Sequence, residues 1–226
     1  MRSWTRTFAG GRLATGMAAL NARHPWSHND HFHGWVLANL PERRRRALDV
    51  GCGQGGLLAA LAPYVEEVHG TDVDPAMVRQ AADRCSGLGN VTVEATAWTE
   101  RPGPYDVITM IAVLHHLDPV EALRQVRRLL APGGRLLVVG LAPPEGLVDH
   151  LWDAASIVTN PLIGYVKHPW PNRLPLAPPP YAVREPTLSL GALRALVEEE
   201  LPGAELRRRL GFRHTLAWTR PAGPGG

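Results

Sequence analysis

The sequence predicts an α/β fold built on a doubly wound, mostly parallel sheet. Ala47 to Leu57 reads as a short apolar strand that enters a glycine cluster and then a helix. Tyr105 to Ile111 is almost continuously apolar, as a central parallel strand buried on both faces requires. Around these two stretches, short apolar runs alternate with segments of helical periodicity. The chain has 226 residues, enough for one such domain with an added segment.

Composition and charge disfavour several classes of protein. The net charge is only +3, so nucleic acid is not an expected partner. The two cysteines, Cys52 and Cys85, are too few for a disulfide framework and favour a reducing cytoplasm. No apolar run approaches the roughly 20 residues of a membrane span. We therefore expect a cytoplasmic monomer or homodimer that does not bind membranes.

The N-terminal region predicts an arm and short helices. It has four arginines and no acid before Asp30, a balance also seen in transit peptides, but a solvated arm is favoured. Residues 12–22 have the spacing of a short amphipathic helix, and a second helix is expected to end before Pro41. Between them, His28, His31, His33 and Asp30 suggest a metal site. We expect no metal, because structural zinc sites usually use cysteine in paired spacing.

The glycine cluster predicts a turn that binds a ligand. Gly51, Gly53 and Gly55 permit positive φ and a close approach of the ligand to the backbone. The same segment also fits the dinucleotide pattern G-x-G-x-x-G, so the glycines alone do not decide. Asp49 does, because a carboxylate at the mouth of the loop would repel a pyrophosphate and suits a ligand with an ammonium and a sulfonium. S-adenosylmethionine is such a ligand, and Asp72, which ends the next strand, is placed to accept hydrogen bonds from its ribose hydroxyls.

The pattern D-x-G-x-G-x-G from Asp49 to Gly55, with Asp72, resembles the class I S-adenosylmethionine-dependent methyltransferases. V-L-H-H-L at residues 113–117 resembles a segment of that family, as does the later order of helix, Pro-Gly-Gly and strand. The resemblance covers residues 47–141. It implies a Rossmann-like, seven-stranded sheet that ends in an antiparallel hairpin.

The remaining elements follow in order. Asp74 and Pro75 are expected to start a helix, as cap and first helical residue. Pro132-Gly133-Gly134 is expected to end another helix. The predicted elements after the glycine loop are a strand from Val65 to Asp72, a helix Ala76–Cys85, strands Val91–Glu94 and Tyr105–Ile111, a helix Val120–Leu130, a strand Arg135–Leu141, a helix Leu188–Leu201, and strands Glu205–Leu210 and Arg213–Thr219.

The resemblance implies that the cofactor binds at the side of the sheet that carries the glycine loop. In the family an acid commonly follows the third strand and binds the adenine amino group, but Thr96 stands at that position here. Trp98 either flanks the adenine or packs in the core. The expected cofactor-binding residues are Asp49, Gly51, Cys52, Gly53, Gly55, Asp72, Val73, Thr96, Ala97, Trp98 and Ile111.

His115 and His116 are the candidate catalytic residues. They follow the fourth strand, at the carboxyl edge where open α/β sheets place their chemistry. An imidazole titrates near neutrality and suits a general base. His116 is the first choice, because His115 is interpreted as the one that satisfies backbone groups.

The acceptor site is assigned to two segments outside the core. The stretch W-S-H-N at residues 26–29 resembles the N-terminal segment that covers the cofactor in small-molecule members of the family. Residues 143–186 are rich in aromatic residues and proline, which suggests an insertion folded over the pocket; loop packing without ligand contact is the alternative. The expected acceptor contacts are Trp26, His28, His33, Trp152, Trp170 and Tyr181, with Asn29 as a further candidate.

These observations predict a methyltransferase that uses S-adenosylmethionine to methylate a small molecule, such as a secondary metabolite. The predicted organisation is an arm with lid helices over 1–40, a cofactor-binding domain over 41–220 with the insertion at 143–186, and a disordered tail over 221–226. Three alternatives stay open: a family-like enzyme that uses the same cofactor for a cyclisation or rearrangement, a dinucleotide oxidoreductase, and a noncatalytic binding module.

Overall fold

The computed structural model describes residues 28–146 and 186–222, together with positions 152, 155, 156, 159 and 166. Its strands are β1 (Arg46–Val50), β2 (Glu67–Thr71), β3 (Val91–Glu94), β4 (Tyr105–Ile111), β5 (Leu130–Gly140), β6 (Glu205–Arg209) and β7 (Arg213–Thr219). They form one sheet in the order β3-β2-β1-β4-β5-β7-β6. β7 runs antiparallel to β5 and β6, and the other neighbouring pairs are parallel. The predicted seven-stranded fold with its antiparallel hairpin is confirmed.

Helices flank this sheet. They are α1 (His28–His31), α2 (His33–Ala38), α3 (Gly56–Leu61), α4 (Pro75–Cys85), α5 (Pro119–Leu129) and α6 (Leu190–Glu200), with 3-10 turns at Trp98–Glu100 and Leu114–His116. The predicted cap of α4 is confirmed, since the Asp74 side chain accepts a hydrogen bond from the Ala76 N–H at 2.8 Å. In the described part of the chain, none of these helices has the length and apolar character to cross a membrane.

Side chains alternate between two apolar layers, one on each face of the sheet. Leu48 of β1 packs in the layer formed with α5 and α6, whereas Ala47 packs in the layer formed with α2, α3 and α4. Both residues are fully buried. This burial on both faces explains why the central strands read as continuous apolar sequence.

Asp106 anchors the amino-terminal edge of the sheet. Its Oδ2 accepts hydrogen bonds from the backbone N–H groups of Arg45 and Arg46 at 2.8 and 3.1 Å. Its Oδ1 lies 2.9 Å from Nε of Arg43. The arginine run before β1 is therefore fixed to β4 by one buried carboxylate.

The predicted start of β5 was wrong. We expected Pro132-Gly133-Gly134 to be a loop before a strand from Arg135, but β5 begins at Leu130, directly after α5. Leu130 pairs with Tyr105, and a register shift then accommodates the Pro-Gly-Gly stretch. The backbone there is bonded to the end of β7, because Gly133 N–H donates to Arg220 O and Arg220 N–H donates to Gly134 O. The bonds to Arg220 keep this stretch in the sheet.

Candidate functional site

The glycine loop follows β1 at the carboxyl edge of the sheet and has the predicted backbone conformation. Gly51, Gly53 and Gly55 all have positive φ, at 66°, 53° and 76°. A Cβ on Gly51 would lie 2.3 Å from Cγ2 of Val113, so the loop packs tightly against the chain after β4. A Cβ on Gly53 would meet nothing within 4 Å. The loop is therefore fixed on one side and open to a ligand at Gly53.

Asp49 lies beneath this loop and is almost fully buried, with 2% of its surface exposed. Thr109 of β4 donates a hydrogen bond from Oγ1 to Oδ1 of Asp49 at 2.6 Å. Burial raises the pKa of Asp49 to about 7, although the Thr109 hydrogen bond acts in the opposite direction and the charge of Asp72 adds to the rise. A buried carboxyl group of this kind is stabilised in its ionised form by a cationic ligand.

Asp72 follows β2 and holds the loop in shape. Its Oδ2 accepts a hydrogen bond from the Gly53 N–H, and its Oδ1 accepts one from the Asp74 N–H, both at 2.9 Å. A carboxylate oxygen can accept more than one hydrogen bond, so both oxygens retain capacity for ligand hydroxyls. Asp72 therefore suits the predicted ribose contact and also organises the glycine turn.

Several residues near these acids could hold an adenine. Val73 directly follows Asp72 and is 88% exposed, an unusual position for an apolar side chain. Thr96 and Ala97 are exposed after β3, and Ile111 is half-buried at the end of β4. The donor set thus fits S-adenosylmethionine: a buried acid for the amino group, a second acid for the ribose and apolar surface for the base.

Two of the predicted cofactor residues have side chains that face the protein interior. Trp98 is 8% exposed and packs in the layer formed with α5 and α6, which favours the core alternative over a ring against the adenine. The Cys52 sulfur faces β2, since a Cβ on Gly70 would lie 3.0 Å from it. Burial, with the charges of Asp49 and Asp72, raises the pKa of the Cys52 thiol. Cys52 can therefore meet a ligand only through its backbone.

The two candidate catalytic histidines lie in a 3-10 turn after β4. Leu114 anchors this turn in the core, while His115 is half-buried and His116 is exposed. The centroids of the imidazole rings of His115 and His116 are 4.1 Å apart. Ala112 leads into the turn with a φ of 57°, a left-handed conformation that is costly for a residue with a Cβ. Its N–H donates to Val139 O of β5 at 2.7 Å, which holds the turn at the carboxyl edge.

The N-terminal helices approach the same edge. The His33 ring contacts the start of α3, because a Cβ on Gly56 would lie 3.3 Å from its Cε1. The pKa of His33 is lowered, chiefly by burial. Asp30, 3.6 Å away, acts to raise it, and Arg84 acts to lower it further. Asn29 accepts a hydrogen bond through Oδ1 from Nη2 of Arg213 at 3.2 Å. Trp26 and the side chain of His28 lie outside the described residues.

Only a few positions of the predicted insertion are described. Trp152 is 38% exposed, and Ser156 is 1% exposed. The Ser156 Oγ accepts a hydrogen bond from the Gly211 N–H at 3.1 Å. This bond attaches the insertion to the β6–β7 turn, two residues before the Arg213 that contacts Asn29. Trp170 and Tyr181 lie outside the described residues.

Three residues of this region were missed by the sequence analysis. Thr109 reads as a minor interruption of an apolar strand, and only its register opposite Asp49 reveals its role. Val113 lies within the V-L-H-H-L segment, but its packing against Gly51 has no sequence signal. His214 of β7 follows an arginine in an otherwise ordinary strand. In the described part of the chain, no group of three or more His, Cys, Asp or Glu side chains is placed to hold a metal ion.

Comparisons with known proteins agree with this geometry. The family model described as a methyltransferase domain matches residues 48–136. An uncharacterized methyltransferase of Mycobacterium tuberculosis is 34% identical over 201 residues, which cover 87% of this chain and 98% of that protein. The trans-aconitate 2-methyltransferase of Methylobacterium radiotolerans is 41% identical over 119 residues, 50% of this chain and 44% of that enzyme. The crystal structure of the YcgJ protein from Bacillus subtilis is similar with a TM-score of 0.56 and 27% identity, covering 79% of this chain and 70% of that one.

Proposed function

The chain belongs to the class I S-adenosylmethionine-dependent methyltransferases. From this premise we propose that it methylates a small molecule, which binds between the carboxyl edge of the sheet and two covering segments, the N-terminal helices and the insertion at 143–186. One observation carries the proposal. The N-terminal helix α1 and the insertion both bond to the β6–β7 hairpin, through Asn29 to Arg213 and Ser156 to Gly211. Segments attached beside the carboxyl edge suit an acceptor small enough to be covered. The similarity to an enzyme named for trans-aconitate adds support.

The cofactor contacts follow from the two acids. Asp49 binds the amino group of the methionine part, directly or through water, and Asp72 binds the ribose hydroxyls. Val73, Thr96, Ala97 and Ile111 surround the adenine, while Gly51, Gly53, Gly55 and the Cys52 backbone permit a close approach. When bound, S-adenosylmethionine supplies an electrophilic methyl group: the acceptor's lone pair bonds to the methyl carbon, and the electron pair of the carbon–sulfur bond leaves with the sulfur.

The chain contributes mainly by holding the two reactants together. Fixing two reactants in line can supply about 7 to 11 kcal/mol of the barrier reduction. A general base is needed only for an acceptor that starts protonated. In that case His116 is the proposed base, because it is exposed at the carboxyl edge, and His115 supports it through the contact between their rings. Trp152, Trp170, Tyr181, Trp26, His28 and His33 are the proposed walls of the acceptor site.

The test is methyl transfer from isotopically labelled S-adenosylmethionine by the purified protein. The panel should contain trans-aconitate, benzoate, phenol and propylamine as small acceptors, with a DNA duplex and a denatured protein mixture as macromolecular ones. We expect incorporation into at least one small acceptor, with S-adenosylhomocysteine formed in equal amount. Incorporation into DNA or protein alone would contradict the proposal. S-adenosylmethionine consumption without a methylated product would indicate the rearrangement alternative instead.

A further inference from the structure

A buried histidine, His214, lies at the carboxyl edge of the sheet and has no role in the proposed mechanism. It lies near the start of β7, opposite Gly140 at the end of β5 and Arg208 on β6. Because β7 is antiparallel to β5, its first residues lie beside the carboxyl end of β5, whose other neighbour is β4. The ring is on the α5–α6 side of the sheet, and His214 is 3% exposed.

The His214 ring has no hydrogen-bond partner among the residues that the structure describes. Neither Nδ1 nor Nε2 makes a hydrogen bond within the described structure. A buried polar group without a partner lowers stability, and in native proteins it calls for an explanation, often a role in function. The two ring nitrogens of His214 are therefore available to a polar group of a ligand.

The ring lies against a glycine that leaves room for it. A Cβ on Gly140 would lie 2.3 Å from Nε2 and 2.5 Å from Cε1 of His214. The imidazole thus occupies the space that any other residue at position 140 would fill, and its tip lies at the last residue of β5. Residues near His214 in the chain bond to helix α1 and to Ser156 of the predicted insertion, since Arg213 contacts Asn29 and Gly211 contacts Ser156.

Among the described residues, the charged groups that shift the pKa of the ring are basic. Burial, followed by Arg213, His115 and Arg208, lowers the pKa of His214 to about 4. The ring is therefore neutral at pH 7, with one nitrogen that donates and one that accepts. The carboxyl edge of the sheet thus carries charged groups of opposite sign at its two ends. Asp49 and Asp72 lie at the end that suits a cationic cofactor, and the basic groups lie at the other end.

We infer that the ring nitrogens of His214 bind a carboxylate or hydroxyl oxygen of the methyl acceptor. This inference rests on the proposed function, and it narrows the acceptor class. The donating nitrogen suits a carboxylate or phenolate oxygen, and the accepting nitrogen suits a hydroxyl hydrogen. An ammonium group at this place would be repelled by Arg213 and Arg208.

The first test measures stability. His214→Phe keeps the ring and removes both nitrogens, and His214→Leu removes them with a smaller side chain. If no internal group needs the nitrogens, at least one variant should melt about 2 to 4 °C above the wild type. The control is His69→Phe, which should lower Tm because His69 Nδ1 lies 2.6 Å from Nη2 of Arg101. A fall in Tm for both His214 variants would show that the nitrogens have a structural partner and would overturn the inference.

The second test measures acceptor binding. Protein with ¹⁵N-labelled histidine rings is saturated with S-adenosylhomocysteine and titrated with trans-aconitate, benzoate, phenol and propylamine. We expect the His214 ring resonances to move with at least one oxygen compound and not with propylamine. With an acceptor that is methylated, His214→Phe should lower kcat/KM by about tenfold to a hundredfold, and the affinity for S-adenosylhomocysteine should not change. His214→Gln, which restores an N–H donor, should recover part of the loss.

The outcomes separate the inference from the proposed function. Movement of the His214 resonances without methyl transfer to any small acceptor would contradict the proposed function. It would still support the binding of a ligand oxygen by the His214 ring. Methyl transfer that is equally fast in His214→Phe would contradict the inference and leave the proposed function. Resonances that do not move with any oxygen compound, or that move only with propylamine, would also overturn the inference.

Discussion

The buried carboxyl group of Asp49 makes cofactor affinity depend on pH in a predictable direction. Its pKa is raised from 3.8 to about 7, chiefly by burial. At about 1.36 kcal/mol per pKa unit, the ionised form in the empty site is disfavoured by roughly 4 kcal/mol. Because the pKa is higher in the folded than in the unfolded protein, protonation of Asp49 contributes stability. This stability is fully present below about pH 4 and is lost as the pH rises through about 7. The ammonium of the cofactor favours the ionised form, so binding should strengthen over the same range.

The magnitude follows from the fraction of ionised Asp49. With a pKa of about 7, that fraction is roughly 3% at pH 5.5 and about half at pH 7, a ratio of about fifteen. The amino group of the cofactor remains protonated below about pH 7.7. Isothermal titration with S-adenosylhomocysteine should therefore show a Kd about fifteen-fold weaker at pH 5.5 than at pH 7, with proton release on binding near pH 6.

Two controls assign this dependence to Asp49. 5′-Methylthioadenosine lacks the amino-acid part, so its affinity should be nearly flat over the same range. Asp49→Asn cannot ionise and should remove most of the pH slope for S-adenosylhomocysteine. If wild-type affinity is flat between pH 5.5 and 7, or if 5′-methylthioadenosine has the same slope, Asp49 does not bind the amino group.

Three further predictions concern the loop acids, the glycines and the histidines. Asp72→Ala should weaken S-adenosylhomocysteine binding by about 1.5 to 3 kcal/mol, the scale of hydrogen bonds to a charged group; wild-type affinity in calorimetry would place the ribose contact elsewhere. Gly51→Ala should lower Tm because its Cβ meets Val113 at 2.3 Å, and Val113→Ala should restore part of that loss. Gly53→Ala has no such clash, so it should lower cofactor affinity with a smaller loss of Tm; the reverse order would mean that the open side of the loop is misassigned. His116→Asn should lower turnover about a hundredfold at unchanged cofactor affinity if the acceptor needs a base; a loss of affinity with normal turnover would identify a structural residue.

The glycine loop and the α4 cap were predictable because their signals are local in sequence. Positive φ at Gly51, Gly53 and Gly55 follows from the spacing of the glycines, and the α4 cap follows from Asp74 before Pro75. These features are decided within a few residues, where backbone sterics and hydrogen bonding dominate. The strand boundaries of β3, β4 and β7 agree with the predicted ones for the same reason.

Other features were not predictable from the sequence, because they depend on pairing between distant strands. Thr109 becomes important only by lying opposite Asp49, and His214 only by lying opposite Gly140. The β5 boundary was missed because bonds to Arg220 keep the Pro-Gly-Gly stretch in the sheet. Trp98 was ambiguous in sequence because an aromatic residue after a strand serves packing and ligand binding equally well.

The contact between Gly140 and His214 also limits how this enzyme can diverge. A side chain at position 140 requires either a shift of the buried His214 ring or a smaller residue at position 214, since a Cβ there would lie 2.3 Å from Nε2. A homologue that changes position 140 first would lose stability, so the favoured order of substitutions is a smaller residue at position 214 and then a larger one at position 140. Homologues with a larger residue at 140 would then lack the imidazole, and the two positions should vary together among enzymes that differ in their acceptors.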